Sequence, residues 1–398
     1  MSIRKREWTS PKGEKKSAWV VDYFDAGGNR RLKTFKLKKE ADAFAASAKV
    51  EIRDGVHVAD SASVTVEEAG KLWLKSARAA NRERATIEDY ERHLRIHITP
   101  IIGATKLPGL SIAKVRAFED KLRESGRSPA MVKKVLVSLG GLLADAQERG
   151  LVARNVVRDM KGRRGAGEKR QDKRQRGRLK VGVDIPARDE VKALIGSLQG
   201  RWRPLFLTAA FCGLRASELR GLRWQDVDIE RKEIRVHQRA DRFNDIGRPK
   251  SETSERTVPA PPMVINALKE WKLACPKGPS GLDLVFPNGQ GKVEQLNNIL
   301  RRGLHPAWIA AGVTSTREGE DGALIVGPKY TGMHCLRHFF ASWCINRKED
   351  GGLGLTPKMV QERMGHSTIA LTMDRYSHLF PRNDDADELA AAEQAFMA

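Results

Sequence analysis

The chain has 398 residues, too many for one ordinary hydrophobic core, so two or three domains are expected. Hydrophobic residues make up 40% and charged residues 31%, which excludes a disordered polyelectrolyte, and no apolar run is long enough to span a bilayer. The 72 Lys and Arg against 50 Asp and Glu give a net charge of +22, which points to a polyanionic partner: nucleic acid first, an anionic membrane surface as the competitor.

Residues 1–60 read as a small β-then-α module. Arg4, Lys5 and Arg6 are followed by no apolar stretch, so this is not a secretory signal. Trp19 to Asp25 is strand-like, Ala26 to Asn29 is a turn, and Arg30 to Leu37 resumes as a strand carrying Arg31, Lys33 and Lys36, with Lys38 just beyond. Ala41, Phe44, Ala45, Ala48 and Ile52 then repeat at helical spacing. A basic sheet backed by a helix can lie in a DNA groove. A merely solvated charged face is the alternative.

Residues 64–157 read as four amphipathic helices in a bundle. Thr65 with Glu68 forms a capping box, Thr86 starts a second helix, Ser111 a third, and Ser128-Pro129 a fourth that Gly150 closes. Residues 158–182 form a linker with eleven Lys or Arg, three acids and five glycines. It cannot bury enough surface to fold alone, and its charge suits a strap along phosphates. Residues 183–382 are helix-rich with a β patch: helices at Ala187–Leu198 and Arg201–Cys212, then strands near Glu233–Gln238 and Arg256–Pro259. Trp202, Trp224 and Trp271 are expected in the core. The glycine- and charge-rich stretch between Ile309 and Met333, and Asp350 to Gly354, are expected as surface loops. Residues 383–398 hold five acids and no base, with Leu389 and Phe396 on an alanine-rich helix suited to a neighbouring protein surface. The fold class is therefore mixed α+β, mainly helical. The four cysteines form no C-x-x-C pair, which argues against a disulfide framework and fits a reducing cytoplasm.

Four segments carry chemistry when taken together. Gly213-Leu214-Arg215-Ala216-Ser217-Glu218-Leu219 sets Arg215 at a tight corner. Lys250 lies near a β-hairpin tip. His334 and Arg337 are i,i+3 on one helical face, and Gly365-His366 precedes Asp374-Arg375-Tyr376-Ser377-His378. Two arginines, a lysine, two histidines and a tyrosine suit phosphoryl transfer without a metal. Guanidinium forks hold the nonbridging oxygens of a phosphodiester transition state, a phenol attacks once a base takes its proton, and a lysine protonates the leaving oxygen. His334 and His338, at i,i+4, imitate a zinc helix, but Cys335 and Arg337 stand where the catalytic glutamates of such helices belong, so no metal site is expected.

In these boxes, their order and their spacing, the chain resembles the tyrosine recombinase (phage integrase) family, in particular the larger integrases with an N-terminal arm-binding module. The resemblance implies a site-specific recombinase that cleaves and rejoins DNA through a covalent 3′-phosphotyrosyl intermediate, with no ATP, cofactor or metal. It implies Tyr376 as nucleophile, Arg215 and Arg337 as phosphate clamps and Lys250 as general acid, with Lys232 and Lys329 as weaker rivals. It further implies His334 as proton acceptor and His366 as a phosphate hydrogen-bond donor, with Glu218 and His338 in support. Residues 1–60 would bind arm sites, 64–157 the core site, and the C-terminal helix a neighbouring protomer. Expected partners are double-stranded attachment sites, a homotetramer on two duplexes, and accessory DNA-bending or directionality factors, with no membrane; the expected location is cytoplasmic, on the nucleoid. The alternatives are a type IB topoisomerase-like activity and a non-catalytic DNA-binding regulator.

Overall fold

The computed structural model describes residues 1–10, 13–25, 28–53, 63–160, 178–249, 252–278, 281–319, 322–380, 390 and 393–398. The chain divides into two compact units, Met1–Arg164 and Gly165–Ala398. Most of the basic linker expected at 158–182, from 161 to 177, lies outside the described residues, as does Leu389 near the C-terminus.

The first unit contains two separate apolar clusters. One belongs to a three-stranded antiparallel sheet, Ser2–Thr9, Lys15–Phe24 and Arg30–Phe35, with the helix Lys38–Arg53 behind it. Val21 and Tyr23 meet Ala41 and Ala45 there, flanked by Trp19, Phe35 and Phe44. Only two strands are legible in the sequence. The missing one, Ser2–Thr9, has two apolar residues of any size, Ile3 and Trp8, on opposite faces, so it lacks a period-2 stripe and forms by backbone pairing to Lys15–Phe24. Several of the basic groups on the third strand are engaged: Arg30 holds Asp22 at 2.5 Å, Arg31 holds Asp25 at 2.8 Å, and Lys33 lies 4.3 Å from the centre of the Phe44 ring.

The other cluster fills a helical bundle: Val66–Ala79, Arg84–His93 prolonged through Ile102, Ile112–Glu124 and Pro129–Glu148, with a short turn at Val156–Asp159. Trp73, Phe118, Leu139, Leu142 and Leu143 form its centre. The Thr65–Glu68 capping box is present in both directions, and Ser111 and Ser128 each accept from a backbone N–H of the first turn. The second helix starts at Arg84 rather than at Thr86, with Glu83 at its N-cap.

The second unit packs its helices around one large core. Trp202–Cys212 and His334–Ile345 supply Phe206, Leu207, Leu336, Phe340 and Ile345, and Trp308 is fully buried beside them. Trp224 is buried, while Trp202 and Trp271 pack partly exposed against this core. A three-stranded sheet runs in the order Val227–Asp228, Glu233–Val236, Arg256–Pro259. The stretch expected as a surface loop between Ile309 and Met333 instead forms an antiparallel hairpin, Thr314–Glu318 with Leu324–Pro328. Nearly all its side chains are exposed, so it carries no buried alternation for sequence reasoning to detect. Phe396, near the C-terminus, is 88% exposed.

Candidate active site

The first arginine is set by a glycine. Gly213 ends the helix Trp202–Cys212 at φ +62°, and a Cβ there would fall 2.1 Å from the Phe340 ring. The chain turns and makes Arg215 the N-cap of the short helix Ala216–Gly221. Glu218 closes the corner: its carboxylate accepts the Arg215 backbone N–H at 2.8 Å and Arg215 Nη1 at 2.6 Å. Arg256, from the strand Arg256–Pro259, grips the same carboxylate at 2.9 and 3.3 Å and donates through Nε to the Arg363 carbonyl at 2.8 Å. Glu218 is 2% exposed. Burial by itself would raise its pKa, but Arg256 by charge and hydrogen bonding, then Arg215 and Arg337, outweigh that and hold it at about 2.

Arg215 reaches onward. Nη2 donates to the Gly365 carbonyl at 2.8 Å and Nη1 lies 3.4 Å from Ser254 Oγ. Arg337, 2% exposed on the helix His334–Ile345, donates to the carbonyls of Gly213 and Met364. The two guanidiniums therefore tie the same two turns together, Gly213 and Met364–Gly365. Burial, followed by the repulsion of Arg215, lowers the Arg337 pKa to about 9.

Gly365, at φ +61°, ends the helix Pro357–Met364 and hands the chain to His366 and the helix Ile369–Tyr376. His366 Nδ1 is fixed by Thr372 Oγ1 at 2.9 Å, and its ring lies parallel to that of Tyr376, 6.3 Å between centres. Tyr376, the last residue of its helix, is 1% exposed. Burial pushes its phenol up to about 12, with Arg337 and Arg375 pulling against the rise. Its hydroxyl lies 2.6 Å from His338 Nδ1, not on His334. The rings of His334 and His338 meet edge to face at 4.8 Å. All three histidines are held neutral at ordinary pH: burial, then neighbouring cations, lowers His334 to about 4 and His366 to about 3, while for His338, also at about 3, burial is followed by His334 and then the cations. His334 is exposed in part at the start of its helix, while its ring packs against His338.

A cavity of about 210 Å³ opens on the Arg215 and His366 side of this cluster, lined by Arg215, Glu218, Arg239, Ser254, Gly365 and His366 among others, with Arg337, His338 and Tyr376 buried behind it rather than lining it. Thus Arg215, His334, Arg337, His366 and Tyr376, with Glu218 and His338, come from three of the four separated segments to one place. Lys250 lies outside the described residues; its neighbour Pro249 lines the cavity. Of its rivals, Lys329 is bound to Glu190 at 2.6 Å, and Lys232 sits in a turn at φ +56°. Two residues were missed from sequence. Arg256 shares the inward face of its strand with Val258, and a charge at such a core position signals a buried ion pair. Ser254, two residues earlier, carries no such signal. Among the described residues, no group of three or more His, Cys, Asp or Glu converges as a metal site would require, and no helix is long and apolar enough to cross a membrane.

Residues 187–382 match the profile of the phage integrase family. The chain belongs to this family. The family is that of the tyrosine recombinases, which cleave and religate DNA. A XerC-like tyrosine recombinase of Caldanaerobacter subterraneus subsp. tengcongensis is 28% identical over 375 residues, 90% of both chains. The integrase of Mycobacterium phage D29 is 23% identical over 94% of this chain and 93% of its own length. Among solved structures, a Tn1549 transposon integrase in complex with transposon right end DNA aligns over 84% of this recombinase and 100% of its own chain (TM-score 0.60, 19% identity). A lambda integrase tetramer bound to a Holliday junction aligns over 91% and 95% (TM-score 0.53, 15% identity). Both share the fold. The chain is a site-specific recombinase, and the comparisons favour neither the topoisomerase nor the regulator reading.

Proposed function

We propose that this recombinase cleaves one strand of an attachment site by attack of Tyr376 on a backbone phosphate, forming a 3′-phosphotyrosyl bond and freeing a 5′ hydroxyl. The observation that carries the reading is the tie between the turns at Gly213 and Gly365. Arg215 and Arg337 both hold them, which places two guanidiniums and His366 beside the Tyr376 helix. A phosphate entering the cavity would replace part of the carbonyl bonding of Arg215, and its developing charge would fall between cations already oriented by buried partners. Such preorganisation needs no reorganisation at the moment of reaction. Lys250 is the proposed acid for the leaving 5′ oxygen. The linkage conserves the phosphodiester bond energy, so rejoining is the reverse of the same step.

Double-stranded DNA is the proposed partner, supported by the charge of +22 and by the DNA-bound integrases that share the fold. Residues 64–157 would hold the core site, 158–182 would run along phosphates, and 1–60 would bind separate arm sites. Assembly as a homotetramer on two duplexes, with residues 383–398 docking on a neighbouring protomer, and help from DNA-bending or directionality factors complete the proposal, as does a place on the bacterial nucleoid. The test is a duplex nicked near the scissile phosphate, which traps the covalent adduct. The wild-type chain should form an adduct whose linked peptide maps to Tyr376. Tyr376→Phe should form none while binding the same duplex in a mobility-shift assay; an adduct from that variant would overturn the assignment of the nucleophile.

A further inference from the structure

Resting on that reading of Tyr376, the geometry points to His338, not His334, as the group that receives the phenolic proton when Tyr376 attacks. The distance from His338 Nδ1 to the Tyr376 hydroxyl is 2.6 Å, and both side chains are buried. No other side chain is found in hydrogen-bond contact with that hydroxyl among the described residues. His334 instead presents its ring to His338 and to solvent. His338 sits one turn further along the same helix, on the side from which the Ile369–Tyr376 helix packs.

The proton balance is simple. As the Tyr376 oxygen bonds to phosphorus, its hydrogen passes to His338 Nδ1, the bond from phosphorus to the 5′ oxygen breaks, and that oxygen takes a proton from the general acid. On rejoining, His338 returns the proton to the phenol. His338 touches a reacting atom, so it is a catalytic residue in this scheme.

The surroundings set the basicity of His338. The groups facing His338 are His334 and Arg337 on its own helix, Arg375 and Tyr376 on the helix packed against it, and Asp184 ahead of the Arg188–Ser197 helix. Without DNA, burial first, then His334 and the cations, keeps His338 a weak base, and burial holds the proton on Tyr376 against the pull of Arg337 and Arg375. A phosphate held by Arg215 and Arg337 brings negative charge into this set. It offsets the cations and raises the basicity of His338 at the moment the nucleophile is needed.

The test uses the full-length chain and nicked attachment-site duplexes in single-turnover cleavage. His338→Ala should bind DNA as the wild type does but form adduct about 10²–10⁴ times more slowly, the range of general-base contributions. Its rate should rise with pH, because hydroxide must then take the proton, and added imidazole should restore part of it. His338→Asn keeps an acceptor near the Nδ1 position without a usable base, and should remain slow. Adduct formation by His338→Ala within about threefold of wild type, or faster, would overturn the inference, as would full activity in His338→Asn. A measurement on the wild type stands independently of variant folding: a 5′-bridging phosphorothiolate duplex, whose leaving group needs no acid. Its cleavage rate should level off on the alkaline side of the histidine range; a rate climbing steadily through about pH 9 would mean that no histidine takes the proton. If the wild type forms no adduct at all, the nucleophile reading itself fails, and this inference with it.

Discussion

The helical bundle at 63–160 and the catalytic unit are both mostly helical, yet they bury different chemistry. Among the described residues, the bundle buries five polar side chains, Ser63, His93, His97, Ser138 and Asn155, and no Arg, Lys, Asp or Glu. The catalytic unit buries Glu218, Arg220, Asp226, Glu294 and Arg337. Buried charge is costly, and it persists only where partners repay it or function demands it. Arg220 is repaid locally: it donates to the carbonyls of Glu294 and Asp241 and fastens the loop at Asn244. Arg337 and Arg215 instead bond to turns beside an open cavity, where the proposed phosphate would meet Arg215. The bundle is a scaffold stabilised by apolar packing, and the catalytic unit is a charge network supported by one.

The largest break in that contrast should come from Arg256→Met. The substitution keeps volume but leaves Glu218 with Arg215 alone inside the protein. Removing one partner of a buried pair costs about 3–5 kcal/mol. Hydrogen exchange of the full chain should show protection falling across the catalytic unit and unchanged in the bundle. Adduct formation should fall as well, because Arg215 loses the fixed carboxylate that aims it. Equal loss of protection in both regions would mean that the two do not differ as described.

Acid should separate the regions next, by degree: burial holds His93 and His97 of the bundle below the ordinary histidine value too, but among the described residues the bundle buries no carboxylate such as Glu218. Glu218 has a folded pKa of about 2, below the unfolded carboxyl range. Its contribution is therefore complete above the unfolded value, near pH 4.5, and is lost as pH falls from there toward 2. At 1.36 kcal/mol per pKa unit this is about 3 kcal/mol. His334, His338 and His366 act in the same direction at higher pH. Their folded values, about 4, 3 and 3, lie below the ordinary histidine value of 6.5, so the stability they favour is present above 6.5 and declines as pH drops below it. Acid titration of exchange protection should show the catalytic unit weakening from about pH 6.5 downward. Glu218→Gln should flatten the portion of that slope below about pH 4.5; an unaltered slope would remove Glu218 as its source.

What could be read in the sequence followed the same division. The bundle was legible through its caps and apolar periods, because local hydrogen bonds and one buried stripe write themselves into adjacent residues. The site was legible through its boxes: Arg215, His334, Arg337, His366 and Tyr376 are side chains whose chemistry has few other uses at those spacings. Two kinds of feature were not legible. The strand Ser2–Thr9 and the hairpin at 314–328 are held by backbone pairing with little buried alternation, so no side-chain pattern announces them. The pairings of Arg256 with Glu218 and of His338 with Tyr376 join residues 38 apart in sequence in both cases, and only the packing of separate elements brings them together.

The smallest expected effect tests the bundle as a passive scaffold. Thr65 accepts the Glu68 backbone N–H at 3.2 Å, and Glu68 returns a bond to the Thr65 N–H at 2.8 Å. Thr65→Ala removes the first bond from the start of Val66–Ala79 and should cost about 1 kcal/mol. The loss should be confined to exchange near that helix end, since Trp73 and the rest of the packed stripe are untouched. If the bundle only presents DNA to the catalytic unit, the adduct-forming rate measured at saturating DNA should not change. A slower rate at saturation would mean that the start of this helix feeds into the chemistry, and the division between scaffold and charge network would have to be redrawn.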